Sequence, residues 1–254
     1  MEKMLISEIE HITGCKVIAA KDNANFIDNI TTDTRKPATS ATLYIPIIGE
    51  NFNGRDYIQS FLEETGGFAL DCQDGKKALG DIARSYRSKF SIPVVAITGS
   101  SGKTSTKEMI SSVVSSQFNT MATLKNLNND IGAPLTIFNI DKSTEVAVLE
   151  LGMNNFGEIS YLSSIVRPHI AVFTNIGTAH IGNLGSREGI LKAKLELLDY
   201  IGADGIIILN ADDDMLSSVH GKFPYKFVSF GINNKTADIG ASKISERKDG
   251  IEFE

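Results

Sequence analysis

The chain has 254 residues, 42% of them hydrophobic, and a formal net charge of −6 at pH 7. That length suits two domains with sizeable cores, and the acidic balance argues against a nucleic-acid-binding surface. We expect no membrane span and no signal peptide, and the two cysteines lack metal-ligand spacing, which together favour a reduced, cytoplasmic protein.

Residues 1–90 predict a small α/β domain. Ser7 and Glu10 have the spacing of a capping box at the start of a short helix, which Gly14 ends. The other elements predicted here are extended segments at Lys16–Ala19 and Thr42–Ile47, a helix through Tyr57, Ile58, Phe61 and Leu62 ended by Gly66 and Gly67, a strand at Phe68–Asp71, and a helix through Leu79, Ile82, Ala83 and Tyr86.

Residues 91–254 predict a second, larger domain in which apolar strands alternate with helices. The predicted strands are Val94–Thr98, Glu145–Leu151, His169–Asn175 and Gly205–Asn210, and the predicted helices are Lys103–Gln117, Phe156–Val166 and Ser186–Ile201. Such alternation is typical of a doubly wound, mostly parallel sheet. Ligands of these sheets bind beyond the carboxyl ends of the strands. We therefore look for the site among the residues that follow each strand.

A glycine-rich turn follows the strand Val94–Thr98 and opens the next helix. Its backbone N–H groups and the helix N-terminus favour phosphate, the lysine reaches the β- and γ-phosphates, and the threonine hydroxyl suits Mg²⁺. The alternative is a glycine turn with a solvated lysine, and the spacing G-x-x-G-K-T is shorter than the usual pattern. The residues expected to bind a nucleoside triphosphate are Gly99, Ser100, Ser101, Gly102, Lys103, Thr104 and Ser105.

Two more polar residues follow predicted strands. Glu150 ends an apolar run and is well placed to hold Mg²⁺ beside the triphosphate, although strand-end acids often simply face solvent. His180 lies in a glycine-rich loop after Thr174 and Asn175. We expect it to ligate a metal or to contact substrate, the alternative being an ordinary surface or hydrogen-bonded histidine.

Lys194 is unusual because it lies in the middle of the apolar stripe of the helix Ser186–Ile201, whereas Lys192 does not. Burying an ammonium group is costly, so such a lysine is paired or has a lowered pKa. A neutral amine there could react with CO₂ to give a carbamate, an anionic metal ligand. On the residues alone, a snorkelling lysine with its amine in water is the somewhat simpler interpretation.

Several ordered segments together resemble one family, the Mur ligases of peptidoglycan synthesis. The segments are Thr98–Ser105, Asn126–Pro134, Glu150–Met153 with Gly157–Ile159, Thr174–His180, Gly185-Ser186 and Ala193-Lys194. The resemblance is greatest to the branch that joins D-alanyl-D-alanine to UDP-N-acetylmuramoyl-tripeptide. In the first block, Thr32–Arg35 and Gly49–Asp56 look like the family's uridine-nucleotide-binding domain.

The resemblance implies an ATP- and Mg²⁺-dependent amide ligase that acts through an acyl phosphate. It implies that Lys103, Glu150, His180 and Lys194 are catalytic. It further implies that Thr104 and Glu150 hold a first metal, and that His180 and a carbamylated Lys194 hold a second one. The residues implied in substrate binding are Asp33, Thr34, Arg35 and Asn53 around the uridine diphosphate, and Asn126, Asn128 and Asn129 in the substrate channel.

The family also has a carboxy-terminal domain, which we do not find before Glu254, so we expect the chain as given to bind its ligands but to turn over little or not at all. Three alternatives remain open. One is another P-loop phosphotransferase such as a kinase, and a second is a non-catalytic nucleotide- or UDP-sugar-binding module. The third is a sibling Mur ligase or a folylpolyglutamate-type ligase. The sequence does not distinguish lysine from diaminopimelate in the tripeptide.

Overall fold

The computed structural model describes residues 1–20, 25–248 and 250–254. The helices of these residues are α1 (Ile6–Thr13), α2 (Ile58–Thr65), α3 (Gly75–Arg87), α4 (Lys103–Val114), α5 (Gly132–Ile137), α6 (Glu158–Val166), α7 (Ile181–Leu184), α8 (Arg187–Leu195) and α9 (Asp214–Ser217). Gly54–Tyr57 and Glu196–Tyr200 are 3-10 helices. Every helix described is too short or too polar to cross a lipid bilayer.

The strands, again in chain order, build one large sheet, one of four strands and three two-stranded pairs among the described residues. They are β1 (Met4–Leu5), β2 (Lys16–Ala19), β3 (Phe26–Ile27), β4 (Asn29–Thr31), β5 (Thr42–Tyr44), β6 (Ile48–Gly49), β7 (Phe52–Asn53), β8 (Phe68–Asp71), β9 (Val94–Thr98), β10 (Thr120–Ala122), β11 (Val146–Glu150), β12 (Ile170–Phe173), β13 (Ile206–Asn210), β14 (Lys226–Gly231), β15 (Ile239–Gly240), β16 (Ser245–Arg247) and β17 (Gly250–Glu252).

The chain forms two compact units. The first contains Met1–Ile92 together with Thr123–Glu145, and the second contains Pro93–Ala122 together with Val146–Glu254. This grouping differs from the single boundary expected between residues 90 and 91, because 123–145 belongs with the first unit. The assignment of a function to each unit stays a prediction.

A four-stranded mixed sheet forms the centre of the first unit. Its strand order is β2-β8-β5-β4, with β2 antiparallel to β8 and the other pairs parallel. Tyr44 from β5 and Phe61 from α2 are both buried, and their ring centroids lie 5.2 Å apart in a tilted arrangement. The Tyr44 hydroxyl donates to the Gly54 carbonyl over 2.8 Å, which satisfies its polar end. The core therefore fixes the loop that begins at Gly54.

The capping box expected at the start of α1 is wrong, although the helix end is confirmed. Ser7 lies inside the helix, and the residue at its N-cap, Leu5, makes no side-chain cap. Glu10 instead accepts from the backbone N–H of Val17 over 3.0 Å, so its carboxylate ties α1 to β2. Gly14 ends the helix in the left-handed conformation, with a φ of 67°, as its position predicts.

A seven-stranded sheet, parallel throughout, forms the second unit, and the α/β fold class predicted from the sequence is confirmed. Its strand order is β10-β11-β9-β12-β13-β14-β15. Every residue of β9 and β11 is buried, as expected for strands covered on both faces. Ile110 and Val114 of α4 pack on one face, against Val95, Ile97 and Val148. This packing holds α4, and the loop before it, against the middle of the sheet.

The helix expected over Ser186–Ile201 is divided. Ser186 is its N-cap, accepting from the backbone N–H of Gly189, and α8 ends at Leu195 before the 3-10 helix Glu196–Tyr200. The expected apolar stripe is nevertheless maintained across the change of helix type, because Leu197 and Leu198 are buried along with Lys194. The lysine therefore belongs to the buried face, as the sequence predicts.

Candidate functional site

The candidate site lies at the carboxyl edge of the seven-stranded sheet. The strand order passes from β9 to β11 on one side and to β12 on the other, which makes the end of β9 a topological switch point. The glycine loop follows β9, Glu150 ends β11, and Thr174 and Asn175 follow β12. The fold thus brings three sequence-predicted segments to adjacent strand ends.

Two glycines determine the course of the loop. A Cβ built on Gly99 would lie 1.8 Å from the Thr174 hydroxyl oxygen, so only glycine permits this close approach of two strand ends. Gly102 is the N-cap of α4 and has a φ of 75°, in the left-handed region that glycine adopts most readily. Lys103 and Thr104 are thereby the first two residues of the helix, where its N-terminus favours an anion.

Asn175 holds the glycine loop through its side chain. Its Oδ1 accepts from the backbone N–H groups of Ser100 and Ser101, over 3.1 and 3.0 Å. Its Nδ2 donates to the Ser101 hydroxyl over 2.7 Å, and the Thr174 hydroxyl donates to the Ser101 carbonyl over 2.6 Å. The sequence placed Thr174 and Asn175 at the rim but did not select them as site residues. Their position directly after a strand adjacent to the loop, one and two residues beyond its end, was the available signal.

Thr104 and Glu150 present oxygen atoms beside each other. The Thr104 hydroxyl donates to Glu150 Oε2 over 2.8 Å, and Glu150 is only 2% exposed. A hydroxyl and a carboxylate oxygen at a helix N-terminus are ligands that suit Mg²⁺, which completes its shell with phosphate and water. No cluster of three or more His, Cys, Asp or Glu side chains suited to a metal is found among the described residues. The donor set therefore fits a metal that is shared with a bound phosphate.

Two lysines lie in the same part of the unit. Lys103 donates from Nζ to the Gly99 carbonyl over 2.9 Å, folding back over the loop. Lys194 is 2% exposed, and no hydrogen bond or ion pair of its amine is recorded in the part of the chain that the structure describes. Burial, with a smaller contribution from the charge of Lys103, lowers the pKa of Lys194 to about 8. The snorkelling interpretation does not hold, because the side chain is buried.

His180 lies at the surface, between β12 and α7. It has a φ of 65°, precedes the short helix α7, and its side chain is exposed. Within the described residues, no side-chain hydrogen bond joins it to Glu150 or to Lys194. The metal-binding role of His180 therefore stays a prediction.

The predicted substrate residues Asp33 and Arg35 lie in the first unit and bind each other. Arg35 donates from Nε and Nη2 to the two carboxylate oxygens of Asp33, over 2.8 and 2.9 Å. This pairing with Arg35 lowers the pKa of Asp33 to about 2. The Arg35 side chain is 87% exposed. Thr34, between them, is half-buried in the same turn after β4.

Asn53 ends β7 and caps the 3-10 helix that follows. Its Oδ1 accepts from the backbone N–H of Arg55, and its Nδ2 donates to Asp56, both over 3.1 Å. Burial raises the pKa of Tyr44 to about 12, with smaller contributions from Tyr57 and Asp33. Thr31, two residues before Asp33, pairs with Tyr44, and the Tyr44 hydroxyl donates to Gly54, next to Asn53, so the turn holding Asp33 and the loop holding Asn53 are neighbours in the first unit.

The three predicted asparagines, Asn126, Asn128 and Asn129, precede α5 and belong to the first unit. The side-chain oxygen of Asn129 accepts from the backbone N–H groups of Ile131 and Gly132, over 3.2 and 2.8 Å. The backbone N–H of Asn128 donates to the Asn126 carbonyl over 2.8 Å. Asn129 thus stabilises the start of α5, and substrate contact by the three residues stays a prediction.

Comparison with known proteins identifies the family. Residues 97–254 match the model of the Mur ligase middle domain. A UDP-N-acetylmuramoyl-tripeptide–D-alanyl-D-alanine ligase of Bacillus subtilis is 36% identical over 243 residues, covering 89% of this chain and 52% of that protein. The alignment with the enzyme of the same name from Escherichia coli covers 53% of that protein. The chain therefore spans about half the length of the curated relatives it matches.

Two solved structures have the same fold. MurF from Acinetobacter baumannii superposes with a TM-score of 0.87 at 31% identity, covering all of this chain and 60% of that one. MurF from Thermotoga maritima in complex with ADP superposes with a TM-score of 0.79 at 26% identity, covering 89% of this chain and 55% of that one. The resemblance noted in the sequence is thereby confirmed.

Proposed function

This chain belongs to the Mur ligase family, and from that premise we propose that it acts in the ATP-dependent joining of D-alanyl-D-alanine to UDP-N-acetylmuramoyl-tripeptide. The pairing of Thr104 with Glu150 at the end of the glycine loop is the observation that carries the proposal, since it suits a metal–triphosphate. The names of the relatives support the choice of substrates. Location in the cytoplasm stays a prediction of the sequence.

The proposed reaction has two steps. The terminal carboxylate of the tripeptide attacks the γ-phosphorus of ATP, and ADP leaves, which gives an acyl phosphate. The amine of D-alanyl-D-alanine then attacks the acyl carbon, loses a proton, and inorganic phosphate leaves as the amide forms. Both reactants of the first step are anions, so positive charge at the transferred phosphoryl group is the main requirement.

Lys103 supplies part of that charge in the proposal. Its amine now donates to the Gly99 carbonyl and is positioned to exchange this contact for phosphate oxygens. The helix N-terminus of α4 adds a favourable dipole, and Asn175 keeps the loop in one conformation before the nucleotide binds. Thr104 and Glu150 hold Mg²⁺, which neutralises charge on the phosphates.

Lys194 and His180 are proposed to serve a second metal near the reacting carboxylate. An amine with a pKa of about 8 is partly neutral at physiological pH, and a neutral amine adds CO₂ to give a carbamate and one proton. The carbamate replaces a buried cation by an anionic ligand, which suits a metal site. His180 is exposed and available to such a metal.

The first unit is proposed to bind the uridine end of the substrate. Asp33, Thr34, Arg35 and Asn53 supply carboxylate, hydroxyl, guanidinium and amide groups on two neighbouring turns, and Arg35 suits a diphosphate. Asn126, Asn128 and Asn129 are proposed to contact the peptide part. D-Alanyl-D-alanine is the second substrate of the proposed reaction.

Binding of a non-hydrolysable ATP analogue tests the nucleotide site. We expect Lys103→Ala to weaken binding by about 10- to 100-fold, because a hydrogen-bonded charge on the phosphates is lost. Thr104→Val should remove most of the increase in affinity that Mg²⁺ gives to the native chain. Isothermal titration with and without Mg²⁺ measures both effects.

Lys192→Ala is the control for the loss of a lysine charge elsewhere in the second unit, since Lys192 is exposed on α8 and its amine lies 5.8 Å from the centre of the Phe156 ring. The Lys192→Ala variant should bind the ATP analogue with the affinity of the native chain. Equal affinity in Lys103→Ala would remove the basis of the proposal.

A further inference from the structure

Two cysteines occupy opposite positions at the end of the β2–β8 pair. The antiparallel register places Lys16 opposite Asp71 and Ala19 opposite Phe68. Continued by one residue, the same register places Cys15 opposite Cys72. Neither residue was assigned a role above.

The hydrogen bonds between β2 and β8 show whether Cys15 and Cys72 lie at a hydrogen-bonded or a non-hydrogen-bonded position of the ladder. The backbone N–H of Ala20 donates to the Gly67 carbonyl over 3.2 Å, so these two opposite residues are a hydrogen-bonded pair. Hydrogen-bonded and non-hydrogen-bonded pairs alternate along an antiparallel ladder. Counting back by five residues, Cys15 and Cys72 fall at a non-hydrogen-bonded position.

Backbone groups near this position agree with the assignment up to the end of β8, where the Cys72 N–H donates to the Leu70 carbonyl over 3.1 Å and the chain begins to turn at Asp71. The N–H of Val17, also at a non-hydrogen-bonded position, donates away from β8 to Glu10 Oε1 over 3.0 Å. The Cys72 carbonyl accepts from Arg55 Nη1 over 3.3 Å instead of pairing with β2. In a regular ladder, opposite residues at such positions have Cα atoms about 4.5 Å apart and side chains on one face. A disulfide spans Cα separations of about 4.4 to 6.8 Å, so the two cysteines lie one residue beyond a pairing that suits one.

The two thiols share one environment. Cys15 and Cys72 both line a cavity of about 430 Å³ in the first unit. Cys72 is buried and Cys15 is half-buried. Burial, with a smaller contribution from Cys15, raises the pKa of the Cys72 thiol to about 11, which makes Cys72 a poor attacking thiol at neutral pH. Cys15 is the more exposed of the two and therefore the one that a small disulfide reaches first.

We propose that Cys15 and Cys72 are a thiol–disulfide site, which oxidation closes into a reversible cross-strand bond. With a low-molecular-weight disulfide such as oxidised glutathione, the Cys15 thiolate attacks one sulfur and glutathione thiolate leaves. Cys72 then loses its proton and attacks the Cys15 sulfur, releasing the second glutathione. Two protein thiols are oxidised, and one glutathione disulfide is reduced to two thiols.

The bond has a structural consequence for the loop that contains Asn53. Arg55 donates to the Cys72 carbonyl and, over 2.7 Å, to Asp71 Oδ1, and its own N–H is held by Asn53. Closing the disulfide fixes the strand end to which Arg55 is anchored. Amide hydrogen exchange of residues 48–57 is therefore expected to slow in the oxidised chain.

Incubation of the whole chain with oxidised glutathione tests the site. Peptide mapping without reductant should show a peptide pair joined through Cys15 and Cys72, with the loss of two hydrogens in mass. The melting temperature should rise by about 10 °C, because the bond closes a long loop of the unfolded chain, and dithiothreitol should reverse both changes. A native chain that carries only glutathione on Cys15, or only bonds between chains, would overturn the proposal.

Two variants give opposite outcomes in the same experiment. Cys72→Ala removes the second thiol, so glutathione should accumulate on Cys15. Cys15→Ser removes the first thiol, so the chain should remain unmodified. Equal modification of the native chain and Cys72→Ala would contradict the pairing, and the test on the native chain stands even if the buried substitution impairs folding.

Discussion

Asn175 illustrates how much a single side chain contributes to the phosphate loop. Three hydrogen bonds of its side chain reach Ser100 and Ser101. The Ser100 N–H also donates to the Asn175 backbone carbonyl over 3.0 Å, so Ser101 depends more on the side chain than Ser100 does. A loop held in one conformation binds a phosphate without first losing conformational entropy. Asn175 is therefore a positioning residue for the nucleotide.

Asn175→Ala should weaken binding of an ATP analogue by about tenfold or more, since several hydrogen bonds of about 1 kcal/mol each order the loop. Asn175→Asp preserves the acceptor but places a carboxylate near the phosphates, so it should keep the native urea midpoint while losing affinity. The matched control is Asn183→Ala, whose amide donates to the Asn154 carbonyl at the surface. Native affinity in Asn175→Ala would contradict the positioning role.

Lys194 has a predictable effect on stability. Its pKa is about 8 in the folded chain, below the value of 10.5 that is usual for an exposed lysine and is taken for the unfolded chain, so between pH 8 and pH 10.5 the unfolded chain binds more protons. The cost of burying the charge is thus present in full below pH 8 and disappears as the pH rises to 10.5. Lys194→Met should raise the free energy of unfolding by up to about 3 kcal/mol at pH 7 and by little near pH 10.5.

Urea denaturation in buffers free of CO₂ measures this difference, with the exposed Lys192→Met as control. A gain in stability that is equal at pH 7 and pH 10 would show that charge burial is not its cause.

At the residue scale, the sequence predicted that Lys194 lies on the apolar stripe of its helix and that Glu150 ends a strand close to the glycine loop. That the lysine amine is buried, and that Thr104 and Glu150 act together, followed only from the resemblance to the family. The sequence could not predict the Arg35–Asp33 pairing or the cap formed by Asn129. Those contacts depend on the course of turns, where the spacing of residues gives no periodic signal.

At the scale of elements, the loop between β9 and α4 depends on two glycines with different requirements. Gly99→Ala should lower the free energy of unfolding by about 3 kcal/mol, because the new Cβ overlaps Thr174. Gly102→Ala should cost only about 1 kcal/mol, since its Cβ position has open space and only the left-handed backbone is unfavourable. Thermal and urea unfolding of the two variants gives the comparison. Equal losses would mean that the close approach to Thr174 does not constrain the loop.

The predicted elements were most accurate for the apolar strands in the middle of the sheets. β8 and β9 have the predicted bounds, and β11, β12 and β13 lie within theirs, because near-continuous apolar runs mark such strands. β2 also has its predicted bounds, although it is mostly exposed. β10, β14 and β15 were missed. They lie toward the edges of the sheet, and β15 has only two exposed residues, so neither a long apolar run nor a clear alternation marks them.

At the scale of the whole molecule, each of the two units is built from two separate stretches of the sequence. Residues 123–145 leave the second unit after β10 and return to it at β11. Composition does not change at these points, so the sequence predicted two blocks but not the passage of residues 123–145 into the first unit.

The chain is acidic overall, with a net charge of −6, and yet Lys103 and Lys194 lie near each other in the second unit. A local positive site in an acidic protein is consistent with a triphosphate ligand.

The most direct test of the proposed function is titration of UDP-N-acetylmuramoyl-tripeptide into the chain, with UDP-N-acetylmuramoyl-dipeptide and UDP as controls. The account predicts that the tripeptide binds more tightly than either control, and that Arg35→Ala weakens all three, because the proposed diphosphate contact is common to them. Binding of the tripeptide no tighter than UDP, or no binding at all, would contradict the proposed substrate.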